Sequence, residues 1–341
     1  MIRPKVVLVA TIERAPACLG ALEALGFEAL FFEFRTGSVY KSQFVKRLIR
    51  ALPTLKFIKR NTVANINRRL LDEVDRFKPQ YLIATVAENI YPETILKIRS
   101  RGVITANWFT DLFTHWHIIE ALAPAYTLFF SSDSGILEKL RELKFNNCFY
   151  LPEATYTLPK QPPLENRKDI YDLTFIGSFN PEMWKHREQF LSAVKEHGLN
   201  IWGPETWKKS SLREFYRGPA RNETMLEIYH QSKIAFDIPY DDGRSQGVGM
   251  RPFEVMSCGA CLFVYDVRQD MARTFVPERE YVPFLTDSEL TAKVKRYLTS
   301  HDQRLAIART GYKTLAAKHT FKERIKTIIE TADSLTPSKT P

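Results

Sequence analysis

The sequence predicts an α/β protein made of two doubly wound, Rossmann-like domains, and three observations support this. The chain has 341 residues, which is more than one hydrophobic core of the usual ~100–200 residues serves. Short β-rich runs alternate with helical patterns, as they do in parallel sheets whose strands are joined by helices. The alternation stops once, in a proline-rich polar stretch over 152–169, and then resumes. We therefore expect an amino-terminal domain over 1–152, a linker over 153–169 and a second domain over 170–318.

Five strands are predicted for the first domain, in the order VVLVATI, ALFFEF, YLIATV, VITANW and YTLFFSS. Helical patterns such as ACLGALEALGF and ETILKIRSRG lie between them. The apolar run VVLVATI is short and is followed at once by Glu13 and Arg14. We interpret it as a buried first strand rather than as the core of a signal peptide. No run approaches the ~18 to 20 apolar residues that a membrane-spanning helix needs.

The second domain repeats the alternation, with strands predicted at DLTFIGS, NIWG, KIAFDIPY, ACLFVYD and YVPF. Helices are predicted at EMWKHREQFLSAVKEHG and around ETMLEIYHQS, and a short one at RPFEVMSCG. A last helix is expected over 319–333, and a disordered tail over 334–341.

The composition is that of an ordinary globular protein, with 44% hydrophobic and 26% charged residues. The net charge of +10 favours anionic partners such as nucleotides, nucleic acid or an acidic membrane surface, without choosing among them. The four cysteines include one close pair, Cys258 and Cys261, with no second pair or neighbouring histidine. A zinc framework is therefore excluded, and buried, reduced thiols are predicted.

Two strand-to-helix turns in the second domain carry glycine. TFIGSFNP places Gly177 and Ser178 after an apolar strand and before a helix. Without a side chain, glycine lets a ligand approach the backbone, and the helix that follows favours an anion. The same pattern also occurs for steric reasons alone, so both interpretations stay open here.

The second turn, SQGVGMRPFEVMSCGACLFVYD, contains two glycines together with an arginine and a glutamate that could contact a ligand. Gly247 and Gly249 leave backbone N–H groups unshielded at the start of a helix whose positive end suits a diphosphate. Arg251 adds a fork of hydrogen-bond donors. Glu254 is expected in the first turn of this helix, where its carboxylate could accept two vicinal hydroxyls. Alternatively, Glu254 offsets the helix dipole and Arg251 is a solvated surface residue.

This second turn resembles the nucleotide-sugar signature of two-domain glycosyltransferases, E-G-F-G-L-P-x-x-E-A-M-A-C-G. The paired glutamates of that signature stand eight positions apart, as Gln246 and Glu254 do here. More closely, GMRPFEVMSCGA is similar to the M-R-x-F-E-x-x-A-C-G-A form of the CgeB-like (spore-maturation type) glycosyltransferases.

The resemblance runs in order through most of 170–333. It includes DLTFIGSFNPEMWKHR, with a Gly-Ser turn and an arginine-bearing helix, then NIWGPETW, MLEIYHQSKIAFDI and the closing helix HTFKERIKTII. The first domain is covered more weakly, by KPQYLIATV and GVITANWFTD.

The resemblance implies the GT-B fold, with two facing Rossmann-like domains and a closing helix that packs back across the first. A sugar nucleotide, with UDP or GDP as the expected carrier, would be held mainly by the second domain and the acceptor by the first. The donor-binding positions it implies are Gly177, Ser178, Gln246, Gly247, Gly249, Met250, Arg251 and Glu254. Among these, Glu254 would bind the ribose hydroxyls, and Arg251 would stabilise the departing diphosphate.

Related enzymes need no metal or cofactor, and Asp241 with Asp242 forms only a short acidic loop. Gln246 stands where the family has a glutamate that contacts sugar hydroxyls. An amide still donates and accepts hydrogen bonds, but the negative charge is lost. Retention of the anomeric configuration is therefore carried over only as an expectation, and the donor sugar stays open.

The acceptor side is predicted at ANWFTDLFTHWHIIE, where Trp108, Asp111 and His115 follow a strand. An aromatic plane and a carboxylate suit sugar recognition, and Asp111 or His115 could act as a base. The alternative is that the tryptophan and the histidine are packing groups.

A basic amphipathic region at 41–60 has two interpretations. It could dock on an anionic membrane to reach a lipid-linked acceptor, or be a solvated helix that covers the sheet and is interrupted by Pro53. The expected location is the cytoplasm, with peripheral contact at the inner face of the membrane as a second hypothesis.

Three other functions compete with sugar transfer to a glycan, lipid-linked or small-molecule acceptor. A sugar-nucleotide epimerase has the same fold but needs acid and base carboxylates at the sugar. A non-catalytic sugar-nucleotide binding protein is compatible with Gln246. A nucleic-acid partner is disfavoured, because no helix-turn-helix, zinc finger or aromatic RNA-binding motif is present.

Overall fold

The computed structural model describes residues 3–35, 53–111, 113–155, 164 and 167–335, with the backbone alone over 53–61. They form two compact units. The first extends to Leu151 and includes the last helix, Phe321–Leu335, and the second covers 152–320. Residues 153–155, predicted to begin a linker, are instead buried within the second unit. The disordered tail was predicted to begin at 334, but residues 334–335 still belong to the last helix, because its helical pattern continues to Leu335. Residues 336–341 lie outside the described residues.

The first unit contains a six-stranded, fully parallel sheet in the order β2-β1-β3-β4-β5-β6. Parallel strands buried on both faces read as continuous apolar runs, which is why the five predicted strands were recognisable. The sixth has only three residues and was not predicted. The strands are β1 (Lys5–Ala10), β2 (Glu28–Glu33), β3 (Tyr81–Thr85), β4 (Ile104–Phe109), β5 (Leu128–Ser131) and β6 (Cys148–Tyr150).

The helices of the first unit connect these strands and bury one face each against the sheet. Two begin at a proline, whose fixed backbone angle suits the first helical position. Pro53 thus marks the start of a helix, while the basic region before it, 41–52, lies outside the described residues. The helices are α1 (Ala15–Ala24), α2 (Pro53–Phe77), α3 (Pro92–Arg99), α4 (Trp116–Leu122) and α5 (Ser134–Glu142).

The second unit has its own six-stranded parallel sheet, in the order β12-β11-β10-β7-β8-β9. Strand β9 was not predicted, because its three residues alternate in exposure and carry no apolar run. The strands are β7 (Tyr171–Ile176), β8 (Leu199–Trp202), β9 (Tyr216–Gly218), β10 (Ser232–Asp237), β11 (Cys261–Tyr265) and β12 (Val282–Phe284).

Six helices flank the second sheet, and its core is rich in interlocking aromatic rings such as Phe190, Tyr265 and Phe284. All four cysteines of the chain are buried thiols that form no disulfide, as predicted. The helices are α6 (Lys185–Ala193), α7 (Asn222–His230), α8 (Met250–Ser257), α9 (Gln269–Thr274), α10 (Asp287–Thr299) and α11 (His301–Lys318).

The strand order of the second sheet reverses between β7 and β10. From β7 the chain proceeds to β8 and β9 on one side, and then returns to β10 on the other. Ligands of doubly wound sheets bind at the carboxyl ends of the strands at such a reversal.

In the part of the chain that the structure describes, no helix is both long and apolar enough to span a bilayer.

Candidate functional site

The carboxyl ends of β7 and β10 bring together the two glycine turns that the sequence singled out. Gly177 and Ser178 follow β7, and Asp237 is the last residue of β10. The loop after β10 then leads through Gly247 and Gly249 into α8. The predicted donor-binding residues thus share the reversal point of one sheet.

Helix α8 begins at Met250, with Gly249 in an extended conformation as its N-cap. Glu254 is therefore the fifth helical residue and lies in the second turn, so the prediction that it lies in the first turn is wrong. A side chain at Gly249 would meet nothing within 4 Å, so the backbone is open on that side. The helix start has no side-chain cap, which leaves its first N–H groups oriented toward an incoming acceptor.

Arg251 and Glu254 form an ion pair, one turn apart, with 2.9 Å between Nη1 and Oε2. The Arg251 guanidinium also lies 5.7 Å from the ring centre of Tyr229. Burial raises the pKa of Glu254, although Arg251 pulls it down. Burial lowers the pKa of Arg251, but Tyr229, Glu254 and Asp237 together raise it above its usual value. Arg251 is therefore a partly buried, firmly charged group rather than a solvated surface residue.

Two further arginines, Arg187 and Arg268, act together with Arg251 on the carboxylate of Asp237. Burial raises the pKa of Asp237, while all three arginines act to lower it. Burial lowers the pKa of Arg187 to about 10; Asp237 acts to raise it, and the charges of Arg251 and Arg268 act to lower it. A desolvated guanidinium of this kind would be stabilised by an anionic ligand.

Both added arginines are fixed by backbone carbonyls. Arg187 donates to the carbonyl oxygens of Ser178 (2.8 Å) and Ile238 (2.9 Å), which follow β7 and β10. Arg268 donates to the carbonyl oxygens of Gly247 (2.6 Å) and Tyr240 (2.7 Å). These bonds hold the loop in place and keep the guanidinium groups at the carboxyl edge of the sheet.

The backbone N–H and carbonyl groups of Gly177 are both hydrogen-bonded within the protein, so the N–H is not available to a ligand. Its N–H donates to Trp202 O at 3.0 Å, and its carbonyl accepts from the Trp207 indole at 2.8 Å. Gly203 packs directly against that carbonyl with φ at +153°, a conformation that favours glycine. The backbone of the phosphate-side turn is thus held by protein groups on both faces.

Gln246, the position where the family has a glutamate, caps the next helix. Its side-chain oxygen accepts from Gln269 N at 3.1 Å, and its carbonyl oxygen accepts from Asp270 N at 3.3 Å. Both donors lie in the first turn of α9, whose N–H groups need such acceptors. The side chain therefore has a structural role beside any contact with sugar.

In the acidic loop at Asp241 and Asp242, the carboxylate of Asp242 accepts hydrogen bonds from its own loop. Asp242 accepts hydrogen bonds from the backbone of Arg244 (3.0 Å) and Ser245 (2.7 Å) and from the Ser245 hydroxyl. Burial raises the pKa of Asp242, but these hydrogen bonds together lower it by more than burial raises it. The pKa of Asp242 is therefore below its usual value. Within the described ranges, no group of three or more His, Cys, Asp or Glu side chains is arranged to hold a metal ion.

On the first unit, Trp108 is fully buried. It lies in β4, its indole donates to Leu151 O at 3.1 Å, and its ring packs edge to face on Phe321. We therefore assign Trp108 to packing and not to contact with an acceptor, because no part of its ring is accessible.

Asp111 and His115 lie together after β4. The His115 Nδ1 is 3.5 Å from Asp111 Oδ1, and both side chains are about two-fifths exposed. The Nδ1 atom of His115 makes no hydrogen bond among the described residues, so the contact is electrostatic. The structure thus joins the two candidate bases into one accessible pair.

The strand order of the first sheet reverses between β1 and β3, and unusual backbone conformations follow β3. Val86 (φ +63°) and Ala87 (φ +55°) are both left-handed, and Asn107 Nδ2 donates to the Val86 carbonyl oxygen at 3.0 Å. A left-handed β-branched residue costs on the order of 1–3 kcal/mol and is often found at functional edges. Arg14, which follows β1, places its guanidinium 5.5 Å from the Trp108 ring centre.

Sequence reasoning missed Asp237, Arg268 and Arg14 and noted Arg187 only as a feature of the resemblance. A signal was available for Asp237, since a charged residue closes the apolar run KIAF. Arg187 and Arg268 lie on separate helix starts, and nothing in their spacing indicates that they converge.

Residues 186–330 match the family model described as glycosyl transferase-like. This segment contains α8, its glycine loop and all three arginines. No curated protein sequence matches the chain.

Solved structures match the chain over nearly its whole length. Sucrose-phosphate synthase from Thermosynechococcus elongatus is 11% identical, with a TM-score of 0.69, covering 98% of this chain and 100% of its own. HepE of Anabaena, solved with UDP-glucose, is 11% identical with a TM-score of 0.63, covering 97% and 100%. A UDP-N-acetylglucosamine 2-epimerase from Listeria monocytogenes, so described provisionally, is 14% identical with a TM-score of 0.58, covering 99% and 98%. Identities this low establish the fold alone, and they confirm the two-domain architecture expected from the sequence.

Proposed function

We propose that this chain, a glycosyltransferase of the GT-B fold, takes its sugar from a nucleoside diphosphate sugar bound at the carboxyl edge of the second sheet. The observation that carries the proposal is geometric: Arg187 and Arg268 are fixed to the loops after β7 and β10, beside the uncapped start of α8 that carries Arg251. All three charges act on Asp237 at the end of β10. A diphosphate bound at this edge would bring negative charge to these guanidinium groups.

The nucleotide we propose is UDP, with GDP as the second candidate. The support for UDP comes from HepE, whose solved complexes contain UDP and UDP-glucose. Glu254 would accept the two ribose hydroxyls, and the open backbone at Gly249 and Met250 would approach the diphosphate or the sugar. The finer assignment to the CgeB-like subtype rests on the M-R-x-F-E-x-x-A-C-G-A resemblance.

The proposed reaction breaks the bond between the anomeric carbon of the sugar and the diphosphate oxygen. The electron pair of that bond leaves with the diphosphate, where Arg251 would stabilise the new negative charge. The acceptor oxygen forms the new bond to the anomeric carbon, and its proton passes to a base. The Asp111 and His115 pair is our candidate for that base, on a unit that we propose binds the acceptor.

Three finer features remain part of the proposal. The arginine cluster would serve where some transferases use a metal ion, so we propose transfer without one. Retention of anomeric configuration follows the signature resemblance, with Gln246 as a neutral hydrogen-bonding group in place of a carboxylate. A glycan or lipid-linked acceptor, peripheral contact of 41–60 with a membrane and a cytoplasmic location are proposed on the sequence.

The first experiment is calorimetric titration of UDP, GDP and their sugars into the wild type, Arg251→Gln and Arg279→Gln. Arg279 is exposed on the same unit and serves as the charge-matched control. Loss of one charge-assisted hydrogen bond should weaken UDP binding about tenfold or more in Arg251→Gln, with no change in the control. The proposal is contradicted if no nucleotide binds, or if Arg251→Gln binds UDP as the wild type does.

A second titration isolates the role of Glu254. Glu254→Gln should weaken UDP binding but leave binding of 2′,3′-dideoxy-UDP unchanged, because that analogue has no hydroxyls for the carboxylate to accept. Equal weakening of both ligands would place Glu254 away from the ribose. Release of UDP with transfer or hydrolysis, rather than an epimerised sugar nucleotide, distinguishes transfer from epimerisation.

A further inference from the structure

A cavity lies on the opposite edge of the same sheet from the candidate donor site, at the amino-terminal ends of β10 and β11. Its volume is about 240 Å³. Lys233 and Cys261, at the starts of these two strands, contribute to its lining. Asp237 lies four residues further along β10, so about 13 Å of strand separates the cavity from the candidate donor site.

The polar lining of this cavity contains three cationic side chains, Arg167, Lys233 and Arg304, together with His301 and one carboxylate, Asp169. Lys233 is also paired with Asp172, with 2.6 Å between Nζ and Oδ1. Asp169 is shared, since its Oδ1 is 3.0 Å from Arg167 Nε and its Oδ2 is 3.6 Å from Arg304 Nη2. Two guanidinium groups thus have one carboxylate between them, and the second contact is long.

The two arginines are fixed in position. Arg304 is 6% exposed and donates from Nη1 to the carbonyl oxygens of Tyr297 (2.7 Å) and Leu298 (3.0 Å) at the end of α10. Arg167 donates to the carbonyl oxygens of Cys258 (3.1 Å) and Ser232. Neutral carbonyl partners orient a guanidinium without cancelling its charge. The positive charge therefore stays at the cavity wall.

Helix α11 strengthens this field. His301 is its first residue and Arg304 its fourth, so the first turn of an 18-residue helix forms part of the wall. The amino-terminal end of a helix carries a partial positive charge and favours anions. The dipole and the two arginines thus act in the same direction.

We propose that this cavity binds a small phosphate-bearing anion, either inorganic phosphate or the phosphomonoester of a small metabolite. The volume exceeds what a single water needs and is below the roughly 300–1,000 Å³ of sites for drug-sized ligands. A whole nucleotide sugar is therefore too large for it. The site is distinct from the candidate donor site in position and lining residues, and its existence does not depend on the proposed function.

Titration calorimetry at constant ionic strength tests the site, with inorganic phosphate and a hexose monophosphate as probes and chloride and the free hexose as controls. Because phosphate could also enter the donor site, each probe is titrated into Arg251→Gln as well as the wild type. Arg304→Gln would remove the cap of α10, so the cavity is altered instead by Lys233→Gln combined with His301→Gln. Lys313→Gln, an exposed residue on α11, is the charge-matched control.

We expect phosphate or the monophosphate to bind the wild type, Arg251→Gln and Lys313→Gln alike, and the double variant about tenfold more weakly. A comparable melting temperature of the double variant shows that it is folded. Tighter binding of the monophosphate than of phosphate identifies an ester as the occupant, and equal binding identifies the free anion. The proposal is overturned if neither probe binds beyond the controls, if the double variant binds as the wild type does, or if Arg251→Gln alone abolishes binding. A failure to bind UDP would contradict the proposed function and leave this inference intact.

Discussion

Arg268 is a buried residue, 8% exposed, that holds the glycine loop in place. Its guanidinium donates hydrogen bonds to the carbonyl oxygens of Gly247 and Tyr240. Arg268→Met keeps most of the side-chain length but leaves both acceptors without this donor. We expect a loss of about 1–3 kcal/mol in the free energy of unfolding, together with weaker UDP binding. Urea titration followed by circular dichroism measures the stability.

Arg279→Met is the matched control for this substitution, because Arg279 is exposed and lies on the same unit. It should change the free energy of unfolding by less than about 0.5 kcal/mol. Equal stability of the Arg268 and Arg279 variants would show that the loop does not depend on Arg268.

Glu254 should give the stability of the protein a measurable pH dependence. Burial raises the pKa of Glu254 above its usual 4.5, so the folded state binds this proton more tightly than the unfolded state does. The stabilisation linked to it is fully present below about pH 4.5 and is lost as the pH rises through the folded-state pKa. The wild type should therefore lose stability relative to Glu254→Gln as the pH is raised from about 4.5 through the folded-state pKa of Glu254.

Urea unfolding of both proteins across this pH range measures the difference, with Glu223→Gln, an exposed carboxylate, as the control. A difference that instead shifts in favour of the wild type with rising pH would mean that Arg251 lowers the pKa of Glu254 by more than burial raises it.

At this scale the sequence indicated only part of the candidate donor site. Arg251 and Glu254 were singled out because they lie in one contiguous motif that also contains the glycines. Arg187, Asp237 and Arg268 come from three separate elements, and only the fold brings them together. A sequence pattern shows which residues are neighbours along one helix or strand. The residues of this cluster are neighbours only because the sheet places their separate elements side by side.

At the scale of elements, the turns after β7 and β8 depend on each other through two glycines. A Cβ on Gly203 would collide with the carbonyl oxygen of Gly177, and φ at +153° already disfavours other residues. We expect Gly203→Ala to lower the free energy of unfolding by about 2 kcal/mol or more. Gly249→Ala should have a small effect on stability, since a Cβ there meets nothing within 4 Å, but should weaken donor binding where the backbone is open.

Thermal denaturation and UDP titration of the two glycine variants separate these effects. If Gly203→Ala retained the wild-type melting temperature, the close packing of the two turns would be wrong. If Gly249→Ala bound UDP normally, the backbone at that position would not approach the ligand.

The long apolar strands were predictable and the short edge strands were not. Strands such as β1 and β10 are buried on both faces and show as continuous apolar runs, whereas β6 and β9 have three residues each. The start of α8 was placed too late in the sequence, because the extended backbone of Gly249 lets the helix begin at Met250. Glu254 thereby moved from the first turn to the second.

At the scale of the whole molecule, two units with separate parallel sheets each have their own reversal of strand order. The alternation of strands and helices in the sequence was sufficient to predict both sheets. It did not place residues 153–155, which are buried in the second unit although the surrounding stretch is rich in proline and polar residues. Part of the net charge of +10 can now be placed in the structure. The second unit has one group of arginines at each edge of its sheet.

Hydrogen–deuterium exchange of the full-length protein, with and without saturating UDP-glucose, tests most directly where the donor binds. We expect slower exchange in two segments, 177–187 and 238–254, because these carry the turn after β7, the glycine loop and the start of α8. Exchange in the first unit should change less when no acceptor is present. Protection confined to the first unit, or no protection in either segment, would contradict the assignment of the donor site.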